Sequence, residues 1–80
     1  IRFLEPSNLK VLAYIRQHEG QRVLLVHNLS SSAQAAELDL SEYAGGAPLE
    51  IWGGASFPAI SPQSYTVTLG PYGYYWFKLE

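Results

Sequence analysis

The sequence predicts an all-β fold, a small antiparallel β-sandwich of Greek-key type with about six to eight short strands. Short apolar segments recur at intervals of roughly 8–12 residues, which is typical of sandwiches and barrels. Glycine, proline, asparagine and serine separate these segments and indicate turns. The third observation is the aromatic segment from Leu69 to Leu79, because five of the eleven aromatic residues lie between Tyr72 and Phe77.

This aromatic segment alternates as a strand from Tyr74 onward. Its two faces consist of Tyr74, Trp76 and Lys78 on one side and of Tyr75, Phe77 and Leu79 on the other. Each buried aromatic side chain removes roughly 150–250 Å² from water, so both faces favour burial. We predict a central strand with one face on the core and the other covered by something else. The sequence leaves open which face lies inward.

The remaining strands follow from apolar alternation and from turn residues. We expect them at residues 2–5, 10–17, 21–29, 33–40, 48–52 and 65–69. His18 to Gly20 is predicted to be a hairpin loop, and Val23 to Val26 to be buried on both faces. Residues 33–38 have helical composition, but their alternation favours a strand. Ser41 is predicted to cap one helical turn, and residues 57–62 to be irregular because of their prolines.

Composition limits the class of protein. Eighty residues predict a single domain, and the chain starts without methionine, so we expect residues 1–80 to be one domain of a longer polypeptide. Five basic against seven acidic residues argue against a nucleic-acid partner. No apolar run reaches the ~18–20 residues of a membrane span. The absence of cysteine fits a reducing compartment, and we predict a cytoplasmic location.

Residues with catalytic potential do not form a recognisable motif. His18 and His27 lack a nucleophile at a supporting spacing, and we interpret His27 as structural. We expect the acidic residues to form a solvated face rather than a carboxylate pair or calcium site; they are Glu37, Asp39, Glu42 and Glu50. We discount the glycosylation triplet at Asn28 as a chance match. The sequence therefore predicts no catalytic, metal or cofactor site.

Four aromatic residues are candidates for a surface function: Trp52, Tyr72, Tyr74 and Trp76. Their flat apolar rings could stack on sugars and form a carbohydrate-binding surface. The competing interpretation is packing, either in the core or against a neighbouring domain, because large apolar patches more often meet protein than stay exposed. We favour packing.

Four segments carry a resemblance to a known family. They read N-L-K-V-L-A-Y-I-R from Asn8, V-L-L-V-H-N-L-S from Val23, A-E-L-D-L-S-E-Y from Ala36 and L-G-P-Y-G-Y-Y-W-F-K-L from Leu69. In this order they resemble the C-terminal domain of trehalose synthase, a maltose α-D-glucosyltransferase of the α-amylase superfamily. Residues 56–64 match that family least.

The resemblance implies a β-sandwich packed against a (β/α)₈ barrel that converts maltose to trehalose by intramolecular glucosyl transfer. In the family the barrel carries the catalytic carboxylates, and calcium also binds outside this domain. None of the corresponding motifs occurs in these 80 positions, so no catalytic residue carries over. We predict a non-catalytic domain that stabilises the barrel of its own polypeptide. The alternatives are a carbohydrate-binding module for α-glucans or disaccharides and a module for homo-oligomer contacts.

Overall fold

The computed structural model describes residues 2–79 and has seven β-strands in that range. The strands are β1 (Arg2–Phe3), β2 (Val11–His18), β3 (Gln21–Asn28), β4 (Gln34–Leu38), β5 (Leu49–Glu50), β6 (Tyr65–Leu69) and β7 (Tyr74–Leu79). A single turn of 3₁₀ helix at Ser41–Tyr43 follows β4. The all-β prediction is confirmed.

The strands form two antiparallel sheets. Strands β1, β2, β3, β7 and β5 form one sheet in that order, and β4 pairs with β6 in the other. Strand β3 pairs with β7 although two strands of the second sheet, β4 and β6, lie between them in sequence. The chain thus crosses between the layers instead of running through hairpins alone, as the predicted Greek-key sandwich requires.

The aromatic strand β7 lies inside the five-stranded sheet. It pairs with β3 along its length and with β5 at Leu49 and Glu50. Strand β3, and not β7, occupies the middle of the sheet. The prediction that β7 is a central strand is therefore correct only in that β7 has a neighbouring strand on each side. The β3 segment from Leu24 to Val26 is buried on both faces, whereas Val23, predicted to be buried with it, is only half-buried.

The core lies between the two sheets. The inward residues of β2, β3 and β7 meet those of β4 and β6; the cluster contains Val11, Ala13, Ile15, Leu24, Val26, Ala36, Leu38, Leu40, Ile60, Tyr65, Val67, Leu69, Phe77 and Leu79. Phe77 is completely buried. The structure thus answers the question about β7: Phe77 and Leu79 point inward and Tyr74 and Trp76 outward.

A two-residue loop joins β2 and β3. Glu19 and Gly20 have φ angles of 51° and 80°, and two positive φ angles are the mark of a type I′ turn that matches the twist of a hairpin. The loop sets the register that places Ala13 opposite Val26. His18, predicted in the loop, is the last residue of β2 instead.

The helical turn after β4 forms as predicted, but its cap does not. Ser41 is its first residue, and the preceding Leu40 supplies no side-chain acceptor. The Ser41 hydroxyl and backbone N–H both donate to Asp39 Oδ1, at 2.7 and 3.1 Å. These hydrogen bonds hold the pKa of Asp39 below its ordinary value, with the hydroxyl contributing most.

The connection from residue 44 to residue 64 contributes to the core although the short strand β5 is its only regular element. Ile60 is 3% exposed and exchanges backbone hydrogen bonds with Gly45 and Gly46. Phe57 packs edge-on against Phe77, with ring centroids 4.7 Å apart. Tyr65 donates its hydroxyl proton to the Pro58 carbonyl at 2.6 Å. The predicted irregular segment is thus partly buried.

Two polar residues are buried contrary to expectation. Glu50, grouped with the solvated acids in the sequence, is only 9% exposed, because its position opposite Phe77 turns it inward. Asn28 is 2% exposed and donates to the carbonyls of Ser32 and Gly70. Such a buried amide is not available for glycosylation. Glu37 and Asp39 lie on an exposed face, as expected.

Candidate functional site: the outer aromatic face

The five-stranded sheet has a second face, turned away from β4 and β6, which we call the outer face. Cross-strand register places its residues in rows. Tyr14, Leu25 and Trp76 form one row, and Leu12, His27 and Tyr74 form the next. Leu25 is only 3% exposed on this face, because the large side chains around it exclude water.

One part of this face is an apolar zone, formed by Phe3, Leu12, Tyr14, His27 and Tyr74. The rings stand in a series: Phe3 lies 5.6 Å from Tyr14, Tyr14 lies 6.4 Å from His27, and His27 lies 5.8 Å from Tyr74, measured between centroids. The latter two pairs are stacked. Phe3 and Tyr74 are 66% and 54% exposed, so the series is open to solvent.

The other part is the tryptophan cleft, a concavity of about 620 Å³. Trp52 and Trp76 lie at its side with ring centroids 5.4 Å apart and planes inclined by 52°. The end of the β2–β3 hairpin supplies its polar residues. The remaining lining residues are Arg16, Gln17, His18, Glu19, Gln21, Val23, Leu25 and Ile51. The cleft therefore combines aromatic rings with hydrogen-bonding side chains.

A tight turn presents Trp52 to the cleft. The buried Glu50 carboxylate accepts hydrogen bonds from the backbone N–H groups of Trp52 and Gly53. The Gly54 N–H donates to the Glu50 carbonyl at 2.9 Å, and Gly54 has a φ of 73°. The predicted strand 48–52 therefore ends at Glu50, because its side chain closes the turn.

Trp76 carries a buried donor. Its indole Nε1–H has no hydrogen-bond partner within the described part of the chain. A buried donor without an acceptor costs roughly 1–3 kcal/mol. The side chain as a whole is half-buried beside Trp52 and is one of the residues that line the cleft.

The four predicted surface aromatics do not all meet. Trp52 and Trp76 are in contact, and Tyr74 lies two residues from Trp76 on the same face. Tyr72 stands apart in the β6–β7 turn, with a φ of 53° and 66% exposure. Sequence reasoning missed Phe3, and it did not connect Tyr14 with β7. The alternation of β2 contained the signal for Tyr14, but the strand order did not follow from it.

The described residues contain no other recognisable centre. No three histidine, aspartate or glutamate side chains of residues 2–79 lie close enough together to hold a metal ion. No helix in that range is both long and apolar enough to cross a bilayer. The expectations of no catalytic, metal or cofactor site and of a cytoplasmic location remain predictions.

The fold and its outer face define the class: a small antiparallel β-sandwich that has an internal core and a second, exposed aromatic face. The family model of the maltogenic amylase C-terminal domain matches residues 1–76. The chain belongs to this family, and the resemblance found in the sequence is confirmed.

Curated relatives are trehalose synthases. The chain is 46% identical over 77 residues to the trehalose synthase of Thermus thermophilus, which covers 96% of the chain and 8% of that protein. It is 44% identical to the trehalose synthase of Pimelobacter sp., in a match that covers 95% of the chain and 14% of that protein. It is 45% identical to the trehalose synthase/amylase TreS of Mycobacterium tuberculosis, in a match that covers 95% of the chain and 13% of that protein. The chain thus spans less than a sixth of the length of these relatives.

Proposed function

We propose that this chain is the non-catalytic C-terminal domain of a trehalose-synthase-type enzyme and that it stabilises the catalytic barrel of the same polypeptide by packing its apolar zone against it. The parent enzyme would convert maltose to trehalose. The relatives are trehalose synthases that are much longer than this chain, which supports a partner within one polypeptide.

The apolar zone is the observation that carries the proposal. The internal core is complete without it, because Phe77 and the other inward residues fill the space between the sheets. Phe3 and Tyr74 nevertheless stay more than half exposed beside Tyr14 and His27. Exposed apolar clusters of this kind mark interaction surfaces, and covering them stabilises a complex by about 25 cal/mol per Å² of apolar surface.

The full-length enzyme provides the test. Tyr74→Ser should lower its melting temperature and leave the KM for maltose unchanged, because the variant weakens packing between domains. Leu9→Ser is the matched control, since Leu9 is 99% exposed and lies outside the zone. Deletion of residues 1–80 should lower the melting temperature or the solubility more than the affinity for maltose.

Two results would contradict the proposal. An unchanged melting temperature together with a raised KM for maltose would assign the zone to substrate binding. A change in sedimentation of Tyr74→Ser without domain destabilisation would assign it to contacts between subunits.

A further inference from the structure

We infer that the tryptophan cleft is a binding site for a glucopyranose-containing saccharide, with Trp52 as the stacking surface. This inference concerns a different part of the outer face from the proposed domain contact. Trp52 is 65% exposed although it is held by a hydrogen-bonded turn. Because its plane is inclined by 52° to that of Trp76, the two rings do not cover each other face to face. An ordered, exposed indole is the kind of apolar surface on which the C–H face of a sugar ring packs.

The polar side chains of the cleft suit sugar hydroxyl groups. The side chains of Arg16, Gln17 and Gln21 form no hydrogen bond or ion pair within residues 2–79. A guanidinium offers a fork of donors, and each amide offers both a donor and an acceptor. Vicinal hydroxyls of a pyranose need both kinds of partner, whereas a purely apolar partner would leave these groups unpaired.

The size of the cleft agrees with this class of ligand. Its volume of about 620 Å³ lies in the range of about 300–1,000 Å³ usual for small-molecule sites. One side is open, so the end of a longer chain of sugars would fit as well as a short saccharide. The cleft contains both cationic and anionic side chains, Arg16 and Glu19, which favours a neutral ligand over a strongly charged one.

The unpaired Nε1–H of Trp76 is an independent indication. Buried donors usually have a partner, and a hydroxyl oxygen is an acceptor that a saccharide would bring. Trp76 lines the cleft beside Trp52, so the one buried side-chain donor of residues 2–79 that lacks an acceptor belongs to a residue of the proposed site.

Affinity electrophoresis of the full-length enzyme in gels containing soluble amylose tests the inference. Trp52→Ala should weaken the apparent affinity for amylose about tenfold, as expected for removal of a central aromatic anchor. Gln21→Ala should weaken it less, and Tyr74→Ala, in the apolar zone, should not change it. The melting temperature of Trp52→Ala should stay at the wild-type value.

Several results would overturn the inference. One is that amylose does not retard the wild-type enzyme. Another is that amylose retards Trp52→Ala and Gln21→Ala as strongly as it retards the wild type. A lower melting temperature of Trp52→Ala with unchanged retardation would assign Trp52 to the domain contact instead. Should Trp52→Ala not fold, Arg16→Ala and Gln21→Ala decide, because both side chains are exposed and lack partners. The domain-contact proposal is judged separately by the melting temperature of Tyr74→Ser.

Discussion

Trp76 and Phe77 are consecutive in β7, yet they serve opposite sides of the sheet. Phe77 is fully buried between the sheets and packs edge-on against Phe57. Trp76 lies on the outer face against Trp52. Strand alternation thus gives one short segment two independent roles, and substitutions on its two faces should separate stability from binding.

Phe77→Ala should destabilise the domain by about 3–5 kcal/mol, because it removes a buried ring and leaves a cavity in the core. Tyr74→Ala is the control in the same strand, and its effect on the chain alone should stay near the values of surface substitutions, within about 0.5 kcal/mol. Denaturant unfolding measures both. A loss below about 1 kcal/mol for Phe77→Ala would show that the ring is not part of the core.

The sequence predicted the regular part of this fold because period-two alternation is visible in it. Strands β6 and β7 have the bounds that alternation predicts, and the type of β4 was correct despite its helical composition. The inward turn of Glu50 was not predicted, because the apolar neighbours Leu49 and Ile51 suggested the opposite orientation. In the structure Leu49 and Ile51 are exposed and Glu50 closes a turn.

The candidate site was only partly predictable for a related reason. Trp52 and Trp76 were identified as aromatic candidates, but their contact depends on pairing between β5 and β7, which residues 51–73 separate in the sequence. Phe57 and Ile60 contribute to the core from a segment in which apolar residues do not recur at the spacing of a strand or a helix, so the sequence did not indicate that they are buried. Arg16 and Gln21 reach the cleft only through the hairpin register.

Asn28→Ala should cost about 2–4 kcal/mol. Its amide donates to the carbonyls of Ser32 and Gly70 at 2.8 and 2.9 Å, and its Oδ1 accepts from the backbone and hydroxyl of Ser30. Removal leaves these groups unpaired in a buried site, at roughly 1 kcal/mol for each lost hydrogen bond. Asn8→Ala is a matched control, because Asn8 is less buried and makes fewer such contacts. Similar unfolding midpoints for the two variants would contradict this prediction.

Glu50→Ala should loosen the turn that presents Trp52. The variant removes the acceptor of the Trp52 and Gly53 N–H groups, with an expected loss of about 1–3 kcal/mol. Near-ultraviolet circular dichroism should show a weaker signal from the Trp52–Trp76 pair. Glu42→Ala is the control, because its ion pair with Arg2 is exposed and contributes little. An unchanged tryptophan signal in Glu50→Ala would mean that the turn does not depend on this carboxylate.

Tyr65 should make the stability of the domain depend on alkaline pH. Burial raises the pKa of its hydroxyl above the ordinary value of 10.0, so the folded state holds the proton more tightly than the unfolded state. The resulting stability is fully present below pH 10 and is lost as the pH rises through the folded pKa. Tyr65→Phe should remove this contribution, although it also loses the hydrogen bond to Pro58, worth about 0.5–1.5 kcal/mol. Urea unfolding between pH 8 and about 11 measures how the free energy of unfolding changes with pH in the wild type and in Tyr65→Phe. An equal dependence on pH in the two proteins would refute the assignment to Tyr65.

Glu19→Asn should stabilise the β2–β3 hairpin. Glu19 has a φ of 51°, a conformation that costs most side chains roughly 1–2 kcal/mol and that asparagine tolerates better. Asn-Gly is the preferred pair for a type I′ turn, and the gain should lie within the about 0.5–2 kcal/mol usual for such local improvements. The weak contact between His18 and Glu19, at 3.6 Å on the surface, offsets little of it.

Gly20→Ala is the opposing control for this turn. Gly20 has a φ of 80°, and no atom lies within 4 Å of the added methyl group, so any loss of stability reports backbone strain alone. We expect a loss of about 1–2 kcal/mol in denaturant unfolding. If Glu19→Asn and Gly20→Ala changed stability in the same direction, the loop could not be a type I′ turn. The register that brings Arg16 and Gln21 to the cleft would then have another origin.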